Sequence, residues 1–167
     1  MTFAPRTLAS PLFVALLLAA GVAGAQDIVR HKLPNSDFPI AQAVTLPPNA
    51  TIHFISGQVP PIVNKSADPN ALAAFGDTKL QTVGVLNKIK EILAGMGLGM
   101  GDVVKMQVFL VGDPAKAGRA DVTGFMEGYT QFFGGAQPNL PARAVMQVAA
   151  LSNPGWLVEI EVVAAKK

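Results

Sequence analysis

The chain has no cysteine, one tryptophan, one tyrosine and two histidines in 167 residues. Without cysteine, disulfides, thiolate nucleophiles and thiolate metal centres are excluded, and stability must come from the core and from any oligomer interface. His31 and His53 lack metal-ligand spacing, which argues against a histidine metal site. Charge is sparse too: 14% of residues are charged, the net charge is +2, and Lys and Arg are scattered. So small and dispersed a surplus makes no basic patch and supports neither nucleic-acid binding nor a ribonuclease. Beyond the first residues, no apolar run is long enough to span a bilayer.

The beginning of the chain is different. Arg6 gives a short positive region, Leu12, Phe13, Val14, Leu16, Leu17 and Leu18 an apolar one, and Ala23-Gly24-Ala25 a small-residue cleavage site. This is the pattern of a secretory signal peptide, too short for a spanning helix. Residues 1–25 are therefore expected to be removed, leaving 26–167 as one domain. The compact segment suits bacterial export, so the periplasm is the expected destination, with an uncleaved inner-membrane anchor as the alternative. After cleavage no stable membrane span is expected.

Within the mature chain, residues 26–42 read as an extended lead-in. Ala43–Leu46 and Thr51–Gln58 read as two strands around the turn Pro47-Pro48-Asn49, because proline and asparagine punctuate two apolar runs. Pro60–Gly76 is loop-like. Leu80, Val83, Leu86, Ile89, Leu93 and Met96 mark one face of a helix over 79–96, ended by Gly97. Val103–Val111 alternates as a strand does. Val122, Phe125, Met126, Tyr129, Phe132 and Phe133 repeat at helical spacing until Gly134-Gly135. Ala142–Ala150 and Leu157–Ala164 close the chain as strands, giving the order β-β-α-β-α-β-β. The glycine-rich Gly95–Gly101 follows a helix and precedes a strand, which suits a C-cap and not a nucleotide loop.

Two helices with one apolar face each should cover one face of a single mixed sheet in an α+β fold. Alternation assigns Val104, Met106, Val108, Leu110, Ala144, Met146, Val148, Val158, Ile160 and Val162 to that face. Arg143, Val145, Gln147, Glu159 and Glu161 then fall on the other, with Lys105, Gln107 and Phe109. An uncovered face of that mixed character usually meets another subunit, so an oligomer is expected. Arg143 and Glu159 are the candidate chemical pair, brought close if the last two strands run antiparallel. A guanidinium in apolar surroundings clamps a small carboxylate with two parallel hydrogen bonds, and a carboxylate can orient water. A cross-strand salt bridge is the alternative reading of the same two residues. The methionines and the aromatic stripe of the second helix read as core.

Six strings in this order resemble the Rid/YjgF family of reactive-intermediate (enamine/imine) deaminases. They are Ile55–Pro60, Gln81-Thr82 with Leu86 to Leu93, Asp102–Lys105 with Val108–Leu110, Tyr129–Phe133, Pro141-Ala142-Arg143 and Val158–Ala164. The resemblance implies a chorismate-mutase-like fold, a homotrimer with pockets at the subunit clefts, and hydrolysis of 2-imino or enamine acids to 2-oxo acids and ammonia without metal or cofactor. It implies that Arg143 binds the substrate carboxylate with the Val145 N–H, that Glu159 positions water, that the Gly57 carbonyl meets the imine nitrogen, and that Ser56 lines the pocket. Its expected partners are a 2-imino or 2-oxo acid and copies of itself, not nucleic acid.

The departures from the family pattern are specific. Pro39 is followed by Ile40 where a tyrosine is usual, Val145 stands where a cysteine is frequent, and Met126 where an asparagine is common. Pro60–Gly76 and Gly112–Ala120 are longer than usual. Export would also separate the protein from cytoplasmic sources of imines. A non-catalytic periplasmic trimer that binds small carboxylates or acts as a chaperone is therefore the alternative function.

Overall fold

The computed structural model describes residues 27–135 and 137–167, so the expected signal segment 1–25 lies outside the described residues. Among the described residues, six strands form one mixed sheet: β1 (Val29–Lys32), β2 (Ala41–Thr45), β3 (Thr51–Gln58), β4 (Val103–Val111), β5 (Ala142–Val148) and β6 (Val158–Lys166). Their order is β1-β2-β5-β4-β6-β3. Two helices, α1 (Thr78–Gly95) and α2 (Val122–Tyr129), complete the architecture. The α+β layout matches expectation. The lead-in, however, contributes β1, antiparallel to β2. Arg30 holds it there by donating to the carbonyls of Gly101, Val103 and Leu140 at 2.7–2.9 Å.

Both helices start at aspartates. Asp77 accepts from the Leu80 N–H at 2.8 Å, and Asp121 from the Gly124 N–H at 3.1 Å, each satisfying a donor the first helical turn leaves free. Gly97 (φ 71°) follows the end of α1. The buried face of α1 is rotated from the one its apolar spacing suggests. Gln81, Thr82, Val85, Leu86, Ile89 and Leu93 are inside, while Leu80 and Met96 are each 46% exposed. The reason is polar. Gln81 donates to Gly76 O and Gly155 O and accepts from Leu157 N, so a buried amide is fully used. Thr82 packs on Gly128 of α2, where a Cβ would come within 2.8 Å of it.

Register corrects the expected face of β5. β5 runs parallel to β4 with Met106 opposite Arg143, Val108 opposite Val145 and Leu110 opposite Gln147. Paired residues share a face, and Met106, Val108 and Leu110 lie in the core beneath the helices. Arg143, Val145 and Gln147 therefore lie on the helix side, and Ala144, Met146 and Val148 on the open side, the reverse of the sequence expectation. A bulge between Val103 and Lys105 likewise puts Val103 in the core in place of Val104. The open face carries Phe54 (81% exposed), Ile52 (47%) and Met146 (38%).

Candidate active site

Arg143 stands one residue into β5, under α2. Its guanidinium carbon lies 4.2 Å from the Tyr129 ring centre, 5.1 Å from that of Phe125 and 5.5 Å from that of Phe38. Nη2 donates to the Met126 sulfur at 3.3 Å, a weak acceptor. Nη1 is buried without a partner, and among the described residues Arg143 makes no ion pair. Burial lowers its pKa, and the neighbouring Tyr129 opposes that shift. Tyr129 is itself pushed up to about 12 by burial, with Arg143 pulling the other way, so at neutral pH the pair is a neutral phenol and a cation. The phenol donates to Pro39 O at 2.8 Å. Aromatic faces offset part of the cost of burying the charge, but a buried unpaired guanidinium donor still costs kilocalories. The arrangement invites an anion.

Glu159 sits elsewhere. It lies on β6 opposite Phe109, hence on the open face, half-buried, with Glu161 two residues on. The Glu161 carboxylate accepts from the Gln107 amide. β3 bulges beside Glu159: Ile55 pairs with Val162 but Gln58 with Ile160, so Ser56 and Gly57 leave the ladder. The Glu159 carboxylate fills the space where a Gly57 side chain would be. Ser56 is exposed, and its carbonyl accepts from the Gln58 amide at 3.0 Å.

The predicted residues thus form two groups. Ser56, Gly57 and Glu159 come together on adjacent β3 and β6; Arg143 and Val145 come together on β5. The expectation that β5 and β6 pair is corrected, because β4 lies between them. The expectation that Arg143 and Glu159 share a face is corrected by the β5 register. Within one subunit they cannot act on one small molecule. Among the described residues, Ala142 is the one residue of β5 paired to β2, and Val145 lies on the outer edge beyond it.

Sequence reasoning missed the surroundings of Arg143. Tyr129, Phe125 and Met126 do belong to the second helix's apolar stripe, but they also touch the guanidinium. Phe38, one residue before Pro39, supplies an aromatic ring near the place where a tyrosine would have followed it. The sole tyrosine, facing a proline carbonyl and an arginine, was the available signal. Among the described residues no group of His, Asp or Glu is arranged to hold a metal ion, and no helix is long and apolar enough to cross a membrane.

The chain is thus a single-sheet α+β domain with a half-buried arginine, whose Nη1 has no partner, and a half-buried glutamate on the opposite face. Comparison with known proteins shows the family to which it belongs. Residues 34–166 match the family model described as endoribonuclease L-PSP, and the chain belongs to that family, the Rid/YjgF proteins. It is 31% identical over 139 residues to the putative reactive intermediate deaminase TdcF of Escherichia coli, covering 83% of this chain and 95% of that one. It is 30% identical over 142 residues to a 2-iminobutanoate/2-iminopropanoate deaminase of Salmonella typhimurium, covering 85% and 98%. The crystal structure of E. coli TdcF with bound serine has the same fold, with a TM-score of 0.55, 30% identity and coverage of 85% and 99%.

Proposed function

We propose that this chain hydrolyses reactive 2-imino and enamine acids to 2-oxo acids and ammonia, as a homotrimer exported to the periplasm after loss of residues 1–25. One observation carries the reading: Arg143 lies half-buried among aromatic rings with its Nη1 buried and unpartnered, and a substrate carboxylate would supply the missing acceptor. The guanidinium fork and the Val145 N–H hold that carboxylate. Because Glu159 faces the other side of its own sheet, the second half of each site comes from a neighbouring copy, whose Ser56, Gly57 and Glu159 close over the bound acid. The Gly57 carbonyl accepts from the imine N–H. Glu159 takes a proton from water as the water oxygen bonds to C2, then returns it to nitrogen. Glu159 then moves the hydroxyl proton of this carbinolamine to nitrogen, and as C2=O forms the C2–N bond breaks, leaving the 2-oxo acid and ammonia. An enamine first takes a proton from water at C3 and gives one up from nitrogen, which makes it the imine. Holding water and imine together supplies most of the needed acceleration. The names of the relatives and the serine bound by TdcF support a small amino-acid-like ligand. The scattered charge gives no support to RNA as a substrate.

The absence of a phenol at Ile40 and of an amide at Met126 favours the second reading, a trimer that binds carboxylates without turnover. One experiment separates the two. An amino-acid oxidase generates imino acids in situ, and semicarbazide trapping is followed with and without residues 26–167. The deaminase suppresses trapping; Arg143→Ala loses both suppression and 2-oxo acid binding, whereas Glu159→Gln keeps binding and loses suppression. No suppression by the wild type across small, branched and aromatic imino acids leaves binding alone as the function.

A further inference from the structure

A cavity of about 210 Å³ begins at Val145, two residues beyond Arg143 on β5, and is lined by Leu110, Val122, Val145 and Met146 and, at its polar end, by Arg119 and Gln147. It is smaller than the ~300 Å³ at which pockets for drug-sized ligands begin, a size suited to a short metabolite chain. Arg119 reaches it from the long segment Gly112–Ala120, whose form is fixed. Ala117 (φ 54°) and Gly118 (φ 74°) reverse the chain, and Asp113 N donates to Arg119 O at 3.0 Å. Gln147 then straps the segment to β5, accepting from Ala120 N at 2.9 Å and donating to Gly118 O at 3.0 Å.

No neighbour neutralises Arg119. Among the described residues it makes no ion pair and no side-chain hydrogen bond. Asp121 caps α2 and lies 4.0 Å from Lys116, and the Asp113 carboxylate accepts from Ala115 N at 2.8 Å. Arg143, Val145 and Gln147 follow one another on the same face of β5, each about 7 Å from the next. Arg143, with its Nη1 buried and unpartnered, and the exposed Arg119 therefore flank a short apolar stretch of one strand.

Resting on the deaminase reading for the reaction, we infer that the substrate is a 2-imino dicarboxylate. Arg143 takes the carboxylate next to the imine, Val145, Leu110 and Val122 line the methylene chain, and Arg119 takes the distal carboxylate. Arg119 is thus a specificity-determining residue that sets which imine is preferred.

Product binding tests this without requiring turnover. Titration calorimetry compares 2-oxoglutarate with 2-oxopentanoate, which has the same chain length and no distal charge. The wild type is expected to bind the diacid about tenfold more tightly, a difference equivalent to ~1.4 kcal/mol. In Arg119→Gln the ratio collapses toward one, and in Arg119→Lys part of it returns; unchanged melting temperatures show that both variants fold. The kcat/KM ratio for imines made from glutamate and norvaline should follow the same order. Equal wild-type affinities, or a preference that survives Arg119→Gln, overturn the role of Arg119 whatever the turnover. A preference that disappears in Arg119→Gln, with no turnover of either imine, confirms the dicarboxylate site and overturns the deaminase reading instead.

Discussion

Gly57→Ala should silence turnover while sparing the fold. A Cβ at position 57 would collide with the Glu159 carboxylate, coming within 3.0 Å of its Cδ and 3.2 Å of its Cγ. Gly57 is not among the positive-φ glycines, so the backbone accepts alanine, and the stiffer unfolded chain contributes about 0.4–1 kcal/mol to stability. Swinging a half-buried glutamate off its rotamer costs about 0.5–1.5 kcal/mol. The two nearly cancel, so the melting temperature should move by no more than about 2–4 °C, the shift that 1 kcal/mol causes in a domain of this size. Catalysis is less forgiving. The carboxylate must retreat on the order of 1 Å, and a misplacement of that size at a reacting group costs about 10²-fold in rate. Initial rates in the trapping assay should show that loss in kcat with KM little changed. Adding Gly57→Ala to Glu159→Gln should cost nothing more, because the added methyl acts through the glutamate while the position-57 carbonyl that meets the imine is kept. A Gly57→Ala protein with full kcat would refute the assignment of Glu159 to the water.

Three further outcomes are expected. Arg143→Lys replaces a fork by a point charge; loss of one charged hydrogen bond, about 1.5–3 kcal/mol, should raise KM roughly tenfold or more, and an unaltered KM would sink the clamp. Tyr129 has a folded pKa of about 12 against about 10 unfolded. Between those values the native state keeps a proton that the unfolded state has lost, so stability falls as pH rises through the window, and Tyr129→Phe removes that slope; because Tyr129 is the only tyrosine, tyrosinate absorbance reads it directly, and a native midpoint near 10 would contradict the burial. Phe54→Asp on the open face, where Phe54 is 81% exposed, should dissociate the proposed trimer in sedimentation velocity; an unchanged trimer would show that this part of the face is not the contact.

The element order was legible because strands and helices differ in period, and most boundaries fall within a few residues of the expected ones. Alternation failed at β5. Its even residues, Ala144, Met146 and Val148, are the more apolar set, so patterning turns them inward; the fold instead turns to the helix side Arg143, which sits half-buried among aromatic rings, and Gln147, which straps a loop at the exposed end of the strand. Hydrophobicity cannot foresee polar residues placed on the helix side of a sheet by such contacts. The same blindness rotated α1, where Gln81 satisfies three backbone groups. The bulges at Val103–Lys105 and Ile55–Gln58 each shift the alternation by one residue and leave no compositional mark beyond Gly57. The residues of the candidate site were nameable from short strings, but their separation onto two faces depended on strand order, which no local pattern encodes.

On the proposed reading, that separation makes each subunit a donor of one half-site and a recipient of another. In the proposed trimer, Arg143→Ala subunits still offer an intact glutamate, and Glu159→Gln subunits an intact arginine. Unfolding and refolding the two inactive proteins together would therefore assemble mixed rings in which one interface is whole, and activity would be regained from parts that have none. In the proposed trimer the working unit is accordingly the seam between two copies, and a defect in one chain would be masked wherever a complementary chain sits beside it.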